Sequence, residues 1–149
     1  YAMAGGFELL QSVDIALVRD DAVLADNHAN FGMIPGGVGS QRLPRIVGTP
    51  RALGHILLGD RLSGRDAVDW GLAWACAPAA ELDALVERTV ANLLGKDRDA
   101  LARIKQLVRA GLHGTLTDGL AAELSSTLAH LGGERAGAGI DRFTGRTRS

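Results

Sequence analysis

Gly5, Gly6 and Glu8 are the residues whose types and spacing point most directly to chemistry. A helix that starts near Gly5 stacks the Glu8 side chain about one turn from the unpaired backbone N–H groups of its own N-terminus. Those N–H groups and the positive end of the helix dipole favour negative charge developing on a ligand oxygen. Glycine lets that oxygen approach with no Cβ in the way. The pattern reads as an oxyanion donor beside an acid/base group. The alternative is plain helix capping, because a capping box or the helix dipole also favours a glutamate in the first turn.

Other conspicuous residues carry weaker signals. Gly36-Gly37-Val38-Gly39-Ser40 precedes a helical stretch as a phosphate loop would, yet it has neither the lysine of a P-loop nor a strand-to-helix setting. His55, His113 and His130 are far apart, no pair has metal-ligand spacing, and no metal is expected. Cys76 is the single cysteine, in the apolar run Leu72 to Ala77, and reads as a small hydrophobe in a reducing compartment. Trp70 and Trp74 flank Gly71 as core or interface anchors.

The elements that must position these residues change character along the chain. Val13 to Val18 reads as a buried strand and Ala22 to Ala25 as a shorter one, so the first third is α/β. A helix follows near Val38 to Ile46, bent or tightened by Pro44. Thr49-Pro50 reads as an N-cap and first helical residue, with Gly59 closing that helix. Ser63 caps a short helix that Gly71 ends, before a strand-like Ala73 to Cys76. Amphipathic helices are expected over Glu81 to Leu94 and over Arg98 to Leu112, the second with Leu101, Ile104, Lys105 and Val108 near one face. Two more start near Thr117 and Glu134, the last weakened by Gly137 and Gly139.

Composition bounds the function classes. The 149 residues are 46% hydrophobic and 22% charged, with 16 Lys and Arg scattered among 17 Asp and Glu for a net charge of −1. That is enough chain for one ordinary domain, and there is no basic stripe of the kind nucleic acid or an anionic membrane would need. The arginines at 135, 142, 146 and 148 form a solvated tail that could reach a phosphate. No apolar run approaches a membrane span, the first residues lack the blocks of a signal peptide, and the chain reads as cytosolic.

Residues 1–9, Asp14-Ile15, residues 32–45 with Ile34-Pro35-Gly36-Gly37 and Gln41-Arg42-Leu43, residues 59–63, Ala67, Gly71-Leu72 and residues 139–143 together resemble the crotonase superfamily, the enoyl-CoA hydratase/isomerase family. The motifs run in order along most of the chain, which is far more specific than one glycine pair. The resemblance implies an α/β fold with a crotonase-like ββα spiral core. Residues 1–76 would form the C-terminal part of that core and residues 77–149 a C-terminal helical oligomerisation region. The segment matching Tyr1 lies near the middle of family chains. These residues are therefore expected to correspond to the C-terminal half, with the first oxyanion donor and much of the CoA-binding surface upstream.

Carried over by position, the resemblance makes Gly5 the glycine whose N–H completes an oxyanion hole around a thioester carbonyl. Glu8 becomes the first of two acid/base glutamates. His28 stands where the family carries the second glutamate; it either shares proton transfer with Glu8 or only packs and hydrogen-bonds among Asp26, Asn27 and Asn30. That departure puts simple hydration in doubt. Gly6, Pro35 and Gly36 would shape the acyl pocket, and Phe7 would line it or pack in the core. The implied activity is that of an acyl-CoA thioester enzyme of hydratase or isomerase type, with a divergent lyase or C–C hydrolase, or a non-catalytic subunit, as alternatives. Coenzyme A would enter as part of the substrate, with no separate cofactor, and the assembly would be a homotrimer or dimer of trimers. The stripe Leu116, Leu120, Leu124 and Leu128 is consistent with such an assembly.

Overall fold

The computed structural model describes residues 1–132 and residue 145; the helix expected near Glu134 lies outside the described residues. Contacts divide the chain into two compact units, Tyr1–Thr89 and Val90–Ser149. The first holds β1 (Ala2–Met3), α1 (Gly5–Leu10), β2 (Leu17–Arg19), β3 (Leu24–Ala25), a 3-10 turn (His28–Phe31), α2 (Gly39–Val47), α3 (Thr49–Leu58), α4 (Gly64–Asp69) and β4 (Ala75–Ala77). Helix α5 (Leu82–Leu94) runs across the division, and α6 (Arg98–Gly111) and α7 (Leu116–Leu131) lie in the second unit.

The strands pair in parallel. Ala2 faces Leu24 and Met3 faces Ala25 in one pair. Leu17, Val18 and Arg19 face Ala75, Cys76 and Ala77 in the other. Parallel pairing requires crossovers, and these carry the helices that cover the core. That core gathers Phe7, Val18, Leu24, Leu43, Ala52, Leu62, Ala67 and Leu72, with Cys76 and Trp70 packed against it.

Three expectations shift. The strand expected over Val13 to Val18 forms only at Leu17–Arg19. Ser12 instead closes α1, its N–H donating to the Leu9 carbonyl and its hydroxyl to that of Glu8, which turns Val13 and Ile15 toward solvent. The strand expected at Ala73 to Cys76 lies at Ala75–Ala77, because Ala73 donates back to the Ala67 carbonyl at the end of α4. Thr49 is the first residue of α3 and caps nothing; the N-cap is Gly48. By contrast, Ser63 caps α4 in a full capping box with Asp66, and Gly71 follows that helix with φ 73°.

In the second unit α6 and α7 pack together, but neither contains a buried residue. Of the face expected on α6, Leu101 is half-buried while Ile104 and Val108 are exposed. Among the described residues no helix is long and apolar enough to cross a membrane.

Candidate active site

Helix α1 starts directly after β1, and the turn between them is made at one residue. Ala4 has φ 47° and ψ −116°, and it is the one positive-φ residue other than glycine among those described. Such a conformation costs roughly 1–3 kcal/mol. It is held by the Ala4 N–H donating to the Ala25 carbonyl and by the Ala4 carbonyl accepting from Glu8. The sharp turn leaves Gly5 and Gly6 exposed at the first turn of α1, where N–H groups have no carbonyl one turn earlier to bond. Among the described residues, nothing lies within 4 Å of the position a Cβ would take at Gly5.

The Glu8 side chain points inward and is only 7% exposed. Its Oε1 accepts three backbone N–H bonds, from Gly37 at 2.8 Å, Val38 at 2.9 Å and Gly39 at 3.0 Å. These donors form the entry to α2, so the carboxylate sits at a helix N-terminus. Close approach demands glycine here: a Cβ at Gly37 would stand 2.5 Å from Glu8 Oε2, and one at Gly39 would stand 2.7 Å from Asp26 Oδ2. Burial alone pushes the Glu8 carboxyl up, but the N–H groups of Gly39, Val38 and Gly37, with the nearby His28, outweigh it and bring the pKa below the ordinary 4.5. Glu8 is thus an ionised carboxylate whose Oε2 takes no hydrogen bond from the described residues. The Arg42 guanidinium donates to the Gln11 carbonyl at 2.7 Å and ties α2 to the end of α1.

His28 opens the 3-10 turn that follows β3, with its side chain 12% exposed. Its Nδ1 lies 2.6 Å from Oδ1 of Asp26, a carboxylate with no exposed surface. Asp26 is held in turn: its backbone N–H donates to Nε2 of His55 at 3.1 Å. A backbone N–H can only donate, so His55 Nε2 is the acceptor and His55 carries its hydrogen on Nδ1. Burial lowers the His55 pKa from 6.5, against the pull of Asp26 and Asp60, which keeps the ring neutral. That ring packs between Phe7, at 5.1 Å between centroids, and the edge of Trp70, at 5.8 Å.

The structure thus brings Glu8, His28 and the 35–39 loop together, with Gly5 and Gly6 at the head of the same short helix. Pro35 is half-buried and abuts Gly39, while Gly36 is exposed. Phe7 is completely buried among core side chains and does not face an open pocket. Trp74 is exposed, so it anchors nothing in the core. Sequence reasoning saw Asp26 only as a hydrogen-bonding neighbour of His28 and weighed His55 only as a metal ligand, and it did not find that the 37–39 segment binds the Glu8 carboxylate. Among the described residues no cluster of three His, Cys, Asp or Glu side chains is placed to hold a metal.

The sequence matches a known family along nearly its whole length. The family model described as enoyl-CoA hydratase/isomerase matches residues 1–148. The chain belongs to this family. An enoyl-CoA hydratase/isomerase relative from Bacillus subtilis (strain 168), named probable enoyl-CoA hydratase, is 38% identical over 108 residues, covering 72% of this chain and 42% of its own. An enoyl-CoA hydratase from Polaromonas sp. JS666 superposes with a TM-score of 0.93 at 29% identity, over 97% of this chain and 56% of that one. A Thermobifida fusca YX protein solved in complex with acetoacetyl-CoA superposes with a TM-score of 0.83 at 31% identity, over 88% of this chain and 51% of that one. The fold is therefore crotonase-like α/β, and the chain spans about half the length of the enoyl-CoA hydratase/isomerase relatives it matches.

Chemically, the site offers one carboxylate held ionised, one imidazole backed by a second carboxylate, and exposed N–H groups at a strained turn. That set can accept a proton at one atom, return it at another, and stabilise an oxyanion between the two events.

Proposed function

We propose that the protein acts on acyl-CoA thioesters by forming a thioester enolate, in hydration or double-bond isomerisation of an enoyl-CoA. The Gly5 N–H donates to the thioester oxygen, where negative charge is larger in the enolate than in the substrate, so the bond accelerates the step rather than merely binding the thioester. Glu8 takes or returns a proton at the acyl chain or at a water through its unbonded Oε2. His28 is the second proton carrier. Gly6, Pro35 and Gly36 border the acyl group, with Phe7 as support behind them. Coenzyme A arrives as part of the substrate, and no other cofactor takes part.

The observation that carries this reading is the Glu8 carboxylate, almost buried yet kept ionised by three N–H donors on a single oxygen. A glutamate serving only to cap α1 would turn back to its own helix; this one crosses to α2. The test is the kcat/KM profile of the intact protein on enoyl-CoA thioesters. If His28 shares proton transfer, one limb of the profile disappears in His28→Ala and the rate falls about a hundredfold or more. An unchanged profile in that variant removes His28 from the mechanism. His28→Glu restores the carboxylate usual in the family, and a gain in crotonyl-CoA hydration identifies an enzyme that left plain hydratase chemistry by this substitution.

A second reading, a C–C lyase or hydrolase of the same family, is favoured by the His28–Asp26 contact, since an imidazole backed by a carboxylate suits activation of water against a more demanding carbon centre. We also propose a cytosolic homotrimer or dimer of trimers, supported by the exposed leucine stripe of α7.

A further inference from the structure

We propose that Asp26 is a positioning residue for proton transfer: its carboxylate fixes His28 as the tautomer with hydrogen on Nδ1 and leaves Nε2 as the nitrogen that takes and returns the proton. The inference deepens the acyl-CoA reading and rests on it for its kinetic consequence alone.

The geometry leads there in three steps. The 2.6 Å Nδ1 to Oδ1 contact is a hydrogen bond whose proton must rest on one of the two atoms. A carboxylate oxygen accepts and a ring nitrogen that carries hydrogen donates, so the hydrogen rests on Nδ1 and Oδ1 accepts. Nε2 makes no hydrogen bond among the described residues and is the nitrogen left for a reacting group. When Nε2 takes a proton, the imidazolium formed faces the Asp26 carboxylate already in place, which favours the charged ring without rearrangement.

Asp26 is built to stay put. It has no exposed surface, and its backbone N–H is clamped by His55 from the adjoining helix α3. Its Oδ2 is buried with no hydrogen-bond partner among the described residues, an arrangement that costs stability rather than adding to it. Oδ2 is pressed against Gly39, the same residue whose N–H holds Glu8, so one glycine sets the spacing of both carboxylates. A residue placed only for packing at this point would be apolar.

The experiment uses the intact protein with 15N-labelled histidine and reads ring-nitrogen shifts by NMR at a pH where His28 is neutral; His28→Gln identifies its resonances. The expected result is a protonated, pyrrole-type Nδ1 and an unprotonated, pyridine-type Nε2. A pyridine-type Nδ1 in the wild type overturns the inference, and this arm needs no variant of Asp26 to fold. In Asp26→Asn, nearly equal in volume, kcat on an acyl-CoA thioester that the wild type turns over is expected to fall at least about a hundredfold with KM little changed. An unchanged kcat overturns the positioning role. A wild-type protein with the expected tautomer but no acyl-CoA turnover contradicts the proposed function and leaves the proton assignment standing.

Discussion

The three N–H groups that converge on Glu8 Oε1 hold the carboxylate in place and hold it ionised, and each effect can be tested separately. Gly37→Ala puts a Cβ 2.5 Å from Oε2, and because the obstacle is the end of a flexible side chain, Glu8 swings away rather than the backbone breaking. Activity is expected to fall about a hundredfold, as for loss of a positioned acid/base group, and the melting temperature to fall with it, because the N–H groups of Gly37, Val38 and Gly39 lose their acceptor. The ionised state also gives a stability signature. Folded Glu8 has a lowered pKa, so the unfolded chain binds more protons once pH drops below about 4.5, and the stability Glu8 contributes above that pH is lost as pH falls toward its folded value. His55 acts in a higher window by the same sign. Its folded pKa lies below 6.5, so stability present above that pH declines as pH falls through it toward the folded value. Urea midpoints across pH 7 to 4 should show this upper slope in the wild type and not in His55→Phe, which should also lose about 1–3 kcal/mol by stranding the Asp26 N–H. A slope unchanged in that variant would assign it to another group.

At the scale of elements, what could be read from sequence was what neighbouring residues decide. Ser63 and Asp66 form the capping box that their spacing announces, and Ser63→Ala should cost about 1 kcal/mol in chemical denaturation; no loss would mean that α4 is held by packing of Ala67 alone. The positions of α2, α3, α5 and α6 were legible for the same reason, through periodicity bounded by glycine and proline. The strand over Val13 to Val18 was misplaced because hydrophobic runs do not reveal where a helix lets go, and Ser12 settles that by bonding back to α1. The Glu8 cradle was hidden by distance: its donors lie about 30 residues along the chain, and only the fold brings α2 to α1. Asp26 was legible only as one of three polar neighbours of His28, because an acidic residue after a short apolar run does not announce that it is buried and held by His55. Its place two residues before His28, on the segment leaving β3, was the clue that pointed to the contact.

At the scale of the molecule, the helices after β4 have no interior of their own. None of α5, α6 and α7 contains a buried residue, and Leu116, Leu120, Leu124 and Leu128 are 57–79% exposed along one helix. Such a stripe calls for a partner surface. Leu120→Lys with Leu124→Lys should convert the assembly to smaller species by light scattering at micromolar concentration, and a wild type that is already monomeric there would remove the trimer from the account. The central claim, that Glu8 and the Gly5 N–H together make a thioester enolate, is tested most directly by exchange of the α-hydrogens of a saturated acyl-CoA in D₂O with the intact protein. This readout needs enolate formation and is indifferent to whether hydration, isomerisation or cleavage follows. The account predicts deuterium incorporation by the wild type and a loss of about a hundredfold or more in Glu8→Gln. Exchange that Glu8→Gln leaves intact, or that the wild type does not support, would contradict it.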